Sequence, residues 1–439
     1  MAPYPVLTLP FDIASQIFVY CLPQEDDALP CRTEAPLLLA GICREWRDIA
    51  LATHELWNTI HLTLRSHSVS TVSPLLEFWL PRAGNLPLSM SLCYKGNLDD
   101  PYSPRMDPKG AGFDTTLVNL LALYAPHWTS LELHISLQAL FQVNIRKEAF
   151  TSLKKLVLDC GPSLQVVDQG KRMVYAFAEA SHLRELHLMS GGLGTRTSFP
   201  WGQLTSLKLD NSTIAECLQM LALTLNLVNF TLTLWSSGHL TSAPILPCPR
   251  LESLNATLSH SRGPALLSSL TLPALSHLGI DIMTVQEITS FTSLIARSSC
   301  FLRRLSVRLG LRWTTDHFLR FLTSLDSLEE LEIRKANQSL DTGLRFLQAQ
   351  PSLLPNLRSL DIERTSGDED PDLVADFLES RWNVQTSISV PVQMKCFRLR
   401  SPLTRAPDFE SDAILRLQLL REAGMVIRIT SSRSWFGVA

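Results

Sequence analysis

The chain has 439 residues, of which 45% are hydrophobic and only 18% are charged, so it is expected to bury a large core and is not a disordered protein. Its 39 basic and 42 acidic residues give a net charge of -3, which argues against nucleic acid as a partner because phosphate binding needs a basic face. No apolar run approaches the roughly 18 residues that span a bilayer, so no membrane partner is predicted.

The N-terminus and the cysteines both indicate a protein of the cytoplasm or the nucleus. No basic segment precedes an apolar one at the start of the chain, so a secretory signal peptide is not predicted. The nine cysteines are scattered, and no two of them have the close spacing of zinc ligands. We therefore expect reduced thiols, no metal site and no cofactor.

Residues 1–60 are predicted to form a small helical domain. The first helix is predicted from apolar residues at helical spacing after a Leu-Pro pair: Leu9, Pro10, Ile13, Ile17, Phe18 and Leu22. After an acidic insert over 23–34, one continuous second helix is predicted, with an apolar face made of Leu38, Leu39, Ile42, Cys43, Trp46 and Ile49. This face is wider than so small a unit can bury within itself, so we expect a partner to cover it.

These residues carry a resemblance to a known family. The Leu-Pro start, the run Ile42-Cys43-Arg44-Glu45-Trp46-Arg47 and the closing Leu56-Trp57 resemble an F-box, in particular that of the F-box proteins numerous in mushroom-forming fungi. The resemblance implies that this segment binds the Skp-type adaptor of a cullin–RING (SCF-type) ubiquitin ligase, while the downstream domain binds a protein substrate. The residues implied to contact the adaptor are Leu9, Pro10, Ile13, Ile17, Phe18, Leu22, Leu39, Ile42, Cys43 and Trp46.

Residues 61–115 are predicted to contain two atypical first repeats and a loop. The apolar spacing around Ile60, and again around Leu88, is that of a short strand. Between Cys93 and Asp114 there is no periodicity, and the Pro, Gly and Asp content predicts an exposed loop or hinge.

Residues 116–439 are predicted to form a repeat domain with a C-terminal cap of one helix and one strand. The pattern apolar-x-x-apolar-x-apolar recurs in ten copies, and its middle residues are Leu131, Leu156, Leu186, Leu207, Phe230, Leu254, Leu278, Leu305, Leu331 and Leu360. The mean step of about 25 residues lies within the range of leucine-rich repeats. Helical spacing is found between copies over 173–177, 214–221, 318–322 and 373–378, the last with Asp370 as its expected N-cap.

The strand pattern of each copy and the helical spacing between copies together predict an α/β fold. We expect a small N-terminal helical F-box followed by a curved leucine-rich-repeat solenoid, with parallel strands on the concave face and helices on the convex face. The Asn or Cys that usually follows the strand in such repeats is mostly replaced by small residues here, so the repeats are of a degenerate type.

The outward strand positions are the candidate substrate-binding surface. Side chains alternate between the two faces of a strand, so Leu305 and Leu331 should be buried while Arg304 and Glu332 are exposed. The candidate substrate-binding residues are Lys208, Asn255, Arg304, Arg308, Glu330, Glu332 and Asp361. The alternative is a solvated strand face that binds no ligand.

Catalytic motifs are not found in the sequence. The glycine-rich run over 191–195 lacks the lysine of a phosphate-binding loop, and no G-x-S-x-G nucleophile signature occurs. Together with the F-box resemblance, which implies a substrate-receptor subunit, this leads us to expect a receptor without an active site of its own. Two alternatives remain open: a repeat scaffold whose N-terminal helices only cap the stack, and an active site assembled across several repeats.

Overall fold

The structure is a computed structural model. The chain forms two compact units, Met1–Ser212 and Thr213–Ala439. This division falls inside the predicted repeat domain, and the boundaries predicted at residues 60 and 115 stay predictions. The residues that the structure describes are 9–23, 29–64, 69–94, 115–135, 140–141, 150–161, 173–234, 245–258, 263–282, 285–309, 321–323, 325–336, 344–345, 347–350, 353–364, 371–382, 393–401 and 411–431.

The first unit opens with helices α1 (Phe11–Tyr20), α2 (Leu37–Ile42) and α3 (Arg44–Ala52). The prediction of one continuous second helix is wrong, because the chain is extended at Cys43 (φ -150°, ψ 176°). The Sγ atom of Cys43 accepts a hydrogen bond from the backbone N–H of Trp46 at 3.4 Å. Cys43 therefore ends α2 and acts as the N-cap of α3, which requires a non-helical backbone.

Among its described residues the first unit then has six parallel strands, each hydrogen-bonded to the next in chain order. They are β1 (Thr59–Leu64), β2 (Leu88–Tyr94), β3 (Trp128–His134), β4 (Lys155–Asp159), β5 (Glu185–Leu188) and β6 (Ser206–Asp210). The helices between them are α4 (Val69–Trp79), α5 (Thr115–Leu123) and the single-turn α6 (Leu193–Arg196), with 3-10 turns at His54–Leu56, Leu80–Ala83, Ala125–His127 and Trp201–Gln203. β1 and β2 confirm the strands predicted around Ile60 and Leu88.

The predicted register is confirmed in this unit. Leu131 lies opposite Leu156, Leu156 opposite Leu186, and Leu186 opposite Leu207. All four are buried, as the alternation of side chains along a strand requires. Full burial of such a side chain stabilises the fold by about 1.5–3 kcal/mol, so a slip of one residue would be strongly unfavourable.

The second unit has the same parallel, open arrangement with helices between strands. Its large sheet contains, in spatial order, β7 (Asn229–Leu234), β9 (Ser253–Leu258), β11 (His277–Ile282), β12 (Arg304–Leu309), β13 (Glu330–Ala336), β14 (Ser359–Arg364), β15 (Cys396–Ser401) and β16 (Val426–Ser431). A separate parallel pair is formed by β8 (Leu246–Pro247) and β10 (Leu270–Thr271). The helices are α7 (Ile214–Leu223), α8 (Gly263–Ser268), α9 (Val285–Ser298), α10 (Pro371–Trp382) and α11 (Ser411–Glu422).

The predicted register is confirmed here too, since the middle apolar residues of six successive copies lie opposite one another in the order Phe230, Leu254, Leu278, Leu305, Leu331 and Leu360. Leu305 and Leu331 are 1% and 2% exposed. Leu360 is followed by Phe397 of β15, a strand that the repeat pattern did not predict. α11 and β16 confirm the predicted helix and strand near the C-terminus.

The helices between strands were predicted with mixed success. α7 begins at a capping box: the Thr213 hydroxyl accepts the Glu216 N–H at 3.2 Å, and the Glu216 carboxylate accepts the Thr213 N–H at 3.0 Å. The helix predicted over 173–177 is wrong, because Val174 forms a parallel bridge to Thr197 and turns follow it. Five residues at helical spacing are too few to stabilise a helix by themselves.

Several predictions fall on residues outside the described part of the chain: most of the loop over 93–114, the start of the helix predicted over 318–322, and Asp370 as N-cap. Among the helices that the structure describes, none has both the length and the apolar character needed to cross a membrane.

Candidate protein-binding surfaces

The N-terminal helices expose apolar side chains in i, i+4 stripes. Ile13 and Ile17 on α1 are 48% and 40% exposed, and Leu9 extends this stripe by one turn. On α2, Leu38 and Ile42 are also exposed. We call these five side chains the N-terminal apolar surface. Large aliphatic groups at helical spacing that stay in water are typical of a helix face that a partner covers.

The predicted adaptor-binding residues divide into three groups in the structure. Leu9, Pro10, Ile13, Ile17 and Ile42 are exposed, and Leu22, Cys43 and Trp46 are half-buried. Phe18 and Leu39 are buried, so in this arrangement they present no surface to a partner. Sequence reasoning did not single out Phe11 and Tyr20 for the interface, although both are exposed and lie on α1.

Ring packing and hydrogen bonds hold the helices of this segment together. The Phe18 ring of α1 packs on the Trp46 ring of α3, with centroids 4.9 Å apart. Arg47 donates from Nε to the carbonyl oxygen of Ala40 at 2.8 Å, which ties α3 to α2. The indole N–H of Trp57 donates to the carbonyl oxygen of Ala50 at 2.8 Å. These contacts therefore fix the positions of the helices that expose the aliphatic stripes.

The second unit presents a charged strand face, on which the outward positions of β11 to β15 lie side by side. The arginines and carboxylates that form ion pairs on it are Arg304, Arg308, Arg334, Arg398, Arg400, Asp281, Glu330, Glu332 and Asp361. We call this set the charged strand face. It contains five of the seven predicted substrate-binding residues. Lys208 belongs to the first unit, where its Nζ lies 3.8 Å from the Asp210 carboxylate.

Asp281 is the buried anchor of the charged strand face. It is 1% exposed, and its carboxylate contacts the guanidinium of Arg308 and lies 3.5 Å from that of Arg334. A buried carboxylate requires such partners, because the cost of removing it from water is otherwise several kcal/mol. Sequence reasoning missed Asp281; the available signal was an acidic residue at an outward strand position, followed by arginines one and two repeats later.

Arg400 joins two further carboxylates. Its Nη2 atom donates to Glu332 at 3.0 Å and to Asp361 at 2.9 Å. Burial raises the pKa of Glu332, but hydrogen bonds from the Ser306 hydroxyl and from Arg400 outweigh this effect, so the pKa lies below its ordinary value. Arg304 and Glu330 form a more exposed pair at 3.1 Å.

A cleft of about 400 Å³ lies on the same face, between the outward side chains of β9 and β15. Its lining includes Asn255, His277, Arg304, Glu332 and Asp361. At its β9 side the Oδ1 atom of Asn255 lies against Gly279, so a side chain at position 279 would displace this amide. The cleft thus offers donors and acceptors of both charges, which suits the mixed surface of a protein.

No protein-family model and no curated protein matches this chain. The assignment of a function therefore rests on the residues and on the geometry described above.

Proposed function

We propose that the chain is the substrate-binding subunit of a cullin–RING (SCF-type) ubiquitin ligase. In this proposal residues 1–60 are an F-box that binds a Skp-type adaptor, and through it a cullin. The aligned parallel strands belong to degenerate leucine-rich repeats that bind a protein substrate. The chain itself carries no catalytic role and acts in the cytoplasm or the nucleus.

The N-terminal apolar surface is the observation that carries the proposal. Its exposed stripes lie in the segment with the F-box signature over 42–47, and Phe18, Leu39 and Trp46 hold the helices that display them. An adaptor that covers Leu9, Ile13 and Ile17 would remove large aliphatic area from water, which favours binding by about 25 cal/mol per Å² before the costs of association.

The repeat part of the proposal is supported by register. Ten predicted copies give strands whose middle apolar residues are aligned within each unit, at a mean step of about 25 residues. The charged strand face and its cleft are the proposed substrate surface. Arg304 is the position at which to test this, because Arg308 is needed to pair with the buried Asp281.

The experiment is co-purification of the full chain with a Skp-type adaptor, for the wild type and for Ile13→Asp/Ile17→Asp. Both positions are exposed, so the variant should fold, and we expect it to lose the adaptor. The matched control is Leu225→Asp/Phe301→Asp, which places the same charges at two exposed apolar positions of the second unit. Retention of the adaptor by the first variant would contradict the proposed surface.

The alternative is a non-catalytic repeat scaffold whose N-terminal helices only cap the stack. One observation favours it: the buried Trp57 packs edge-on against Trp79 of α4, with ring centroids 4.9 Å apart, so residues 1–60 contact the helix that follows β1. This capping contact does not involve Ile13 or Ile17. A folded wild-type chain that binds no adaptor would favour the scaffold.

A further inference from the structure

Three potential metal ligands meet on two neighbouring strands of the first unit. Glu132 and His134 are two residues apart on β3, and Cys93 is on β2, one residue beyond the paired Leu92 and Leu133. One ligand atom from each of the three side chains can be chosen so that all lie within 4.8 Å of one another, and all three side chains are half-buried. Cys93 precedes Glu132 by 39 positions and His134 by 41, so the spacing in the sequence gave no sign of this cluster.

The histidine is oriented as in many metal sites. Its Nδ1 atom lies 3.3 Å from the Asp159 carboxylate of β4, and its Nε2 atom lies 2.9 Å from the Glu132 carboxylate. Asp159 is itself held in place, because it accepts hydrogen bonds from the Gly161 N–H at 2.9 Å and from the Ser190 hydroxyl at 2.8 Å. A carboxylate that accepts a hydrogen bond from Nδ1–H fixes the tautomer in which the Nε2 lone pair can bind a metal.

We propose that Cys93, Glu132 and His134 bind Zn²⁺, with Asp159 as the residue that orients the histidine. A thiolate, an imidazole and one carboxylate form a ligand set that zinc prefers, whereas Ca²⁺ and Mg²⁺ need more oxygen ligands. Zinc–ligand bonds of about 2.0–2.3 Å in a tetrahedron place the ligand atoms about 3.4–3.6 Å apart. The ligand atoms lie within 4.8 Å of one another here, so they must move closer together to bind the ion.

Binding is balanced by the release of protons. The Cys93 thiol and the Nε2 nitrogen of His134 each give up a proton to solvent as their lone pairs bind the metal. The Ser91 hydroxyl, 3.6 Å from the Cys93 sulfur, can donate to the thiolate that results. Three protein ligands leave a fourth position for water or for a side chain of a bound protein, as in open zinc sites.

The first test is a titration of the full chain with Zn²⁺ in competition with a chromophoric chelator. We expect one tightly bound zinc ion per chain, lost in Cys93→Ser and in His134→Gln. Asp159→Asn should keep the stoichiometry but weaken the affinity about 10–100-fold, as expected for loss of an orienting carboxylate. Cys396→Ser, at a half-buried cysteine on β15, is the matched control and should bind like the wild type. Equal affinity of the wild type and Cys93→Ser would overturn the proposal.

The second test uses only the wild type, so its outcome does not depend on whether a variant folds. Alkylation of each cysteine of the wild type is followed by peptide mass spectrometry with and without Zn²⁺. We expect the metal to slow alkylation of Cys93 while the exposed Cys21 and Cys31 react as before. If Cys93 is alkylated at the same rate in saturating Zn²⁺, the site does not exist. Neither test depends on adaptor binding.

Discussion

Replacement of Leu331 by alanine tests the strand register that underlies the whole second unit. Leu331 is 2% exposed and lies between Leu305 and Leu360 in the sheet. The substitution removes three carbon atoms, which at about 0.8 kcal/mol each costs about 2.4 kcal/mol of transfer free energy. The cavity left between two packed strands adds to this, so we expect a loss of about 2–5 kcal/mol in the free energy of unfolding.

Glu330→Ala is the matched control, one position earlier on the same strand. Its carboxylate pairs with the Arg304 guanidinium, and both side chains are about half exposed. Loss of this pair should therefore cost less than about 1 kcal/mol in the free energy of unfolding. Urea denaturation followed by circular dichroism measures both changes as shifts in midpoint. A Glu330→Ala variant that loses as much stability as Leu331→Ala would refute the register, because a slip of one residue exchanges the buried and exposed faces.

Four further substitutions probe other parts of the fold by the same denaturation assay. Asp281→Ala should cost about 1–3 kcal/mol in the free energy of unfolding, since it leaves two half-buried arginines without their carboxylate. Unchanged stability would mean that the ion pairs of Asp281 do not stabilise the fold. Gly41→Ala should stabilise the chain by about 0.5–1 kcal/mol, because Gly41 lies in a helix and a Cβ there meets nothing within 4 Å. Gly191→Ala should instead destabilise it, because its Cβ would lie 2.5 Å from a backbone carbonyl oxygen. If Gly191→Ala were the more stable of the two variants, the described surroundings of both glycines would be wrong. Its hydrogen bonds to the Asp159 and Glu132 carboxylates raise the pKa of His134 to about 10, so in the presence of a chelator the stabilising effect of His134 should be complete below about pH 6.5 and fall as the pH rises toward 10. His134→Gln should remove this pH dependence, and an unchanged profile would contradict the pairing.

The parallel strands could be predicted from sequence because the signal is repetitive and local. A leucine every second position fixes which face is buried, and the same spacing in ten copies fixes how neighbouring strands align. β15 was missed because its pattern, Phe397 and Leu399 after a stretch without a clear copy, stands alone. The break between α2 and α3 at Cys43 was missed because the apolar spacing over 38–49 continues across it. That spacing carries no sign that the Cys43 side chain caps α3.

Contacts between strands were harder to predict than the strands themselves. The pairing of Asp281 with Arg308 and Arg334 depends on both the register and the reach of long side chains. The same holds for Cys93 and His134, which come together only when β2 and β3 are aligned. The exposed residues Ile13, Ile17 and Ile42 were predicted for the adaptor surface, whereas the burial of Phe18 and Leu39 follows from how the helices pack, which helical spacing alone does not specify.

Isothermal titration of the purified full chain with a purified Skp-type adaptor asks whether the N-terminal apolar surface binds that adaptor. We expect an equimolar complex with a negative heat-capacity change, the mark of apolar area removed from water. Ile13→Asp/Ile17→Asp should abolish the heat of binding, while Leu225→Asp/Phe301→Asp should preserve it. A folded wild-type chain that gives no heat with the adaptor over a range of temperatures would mean that this surface does not bind it.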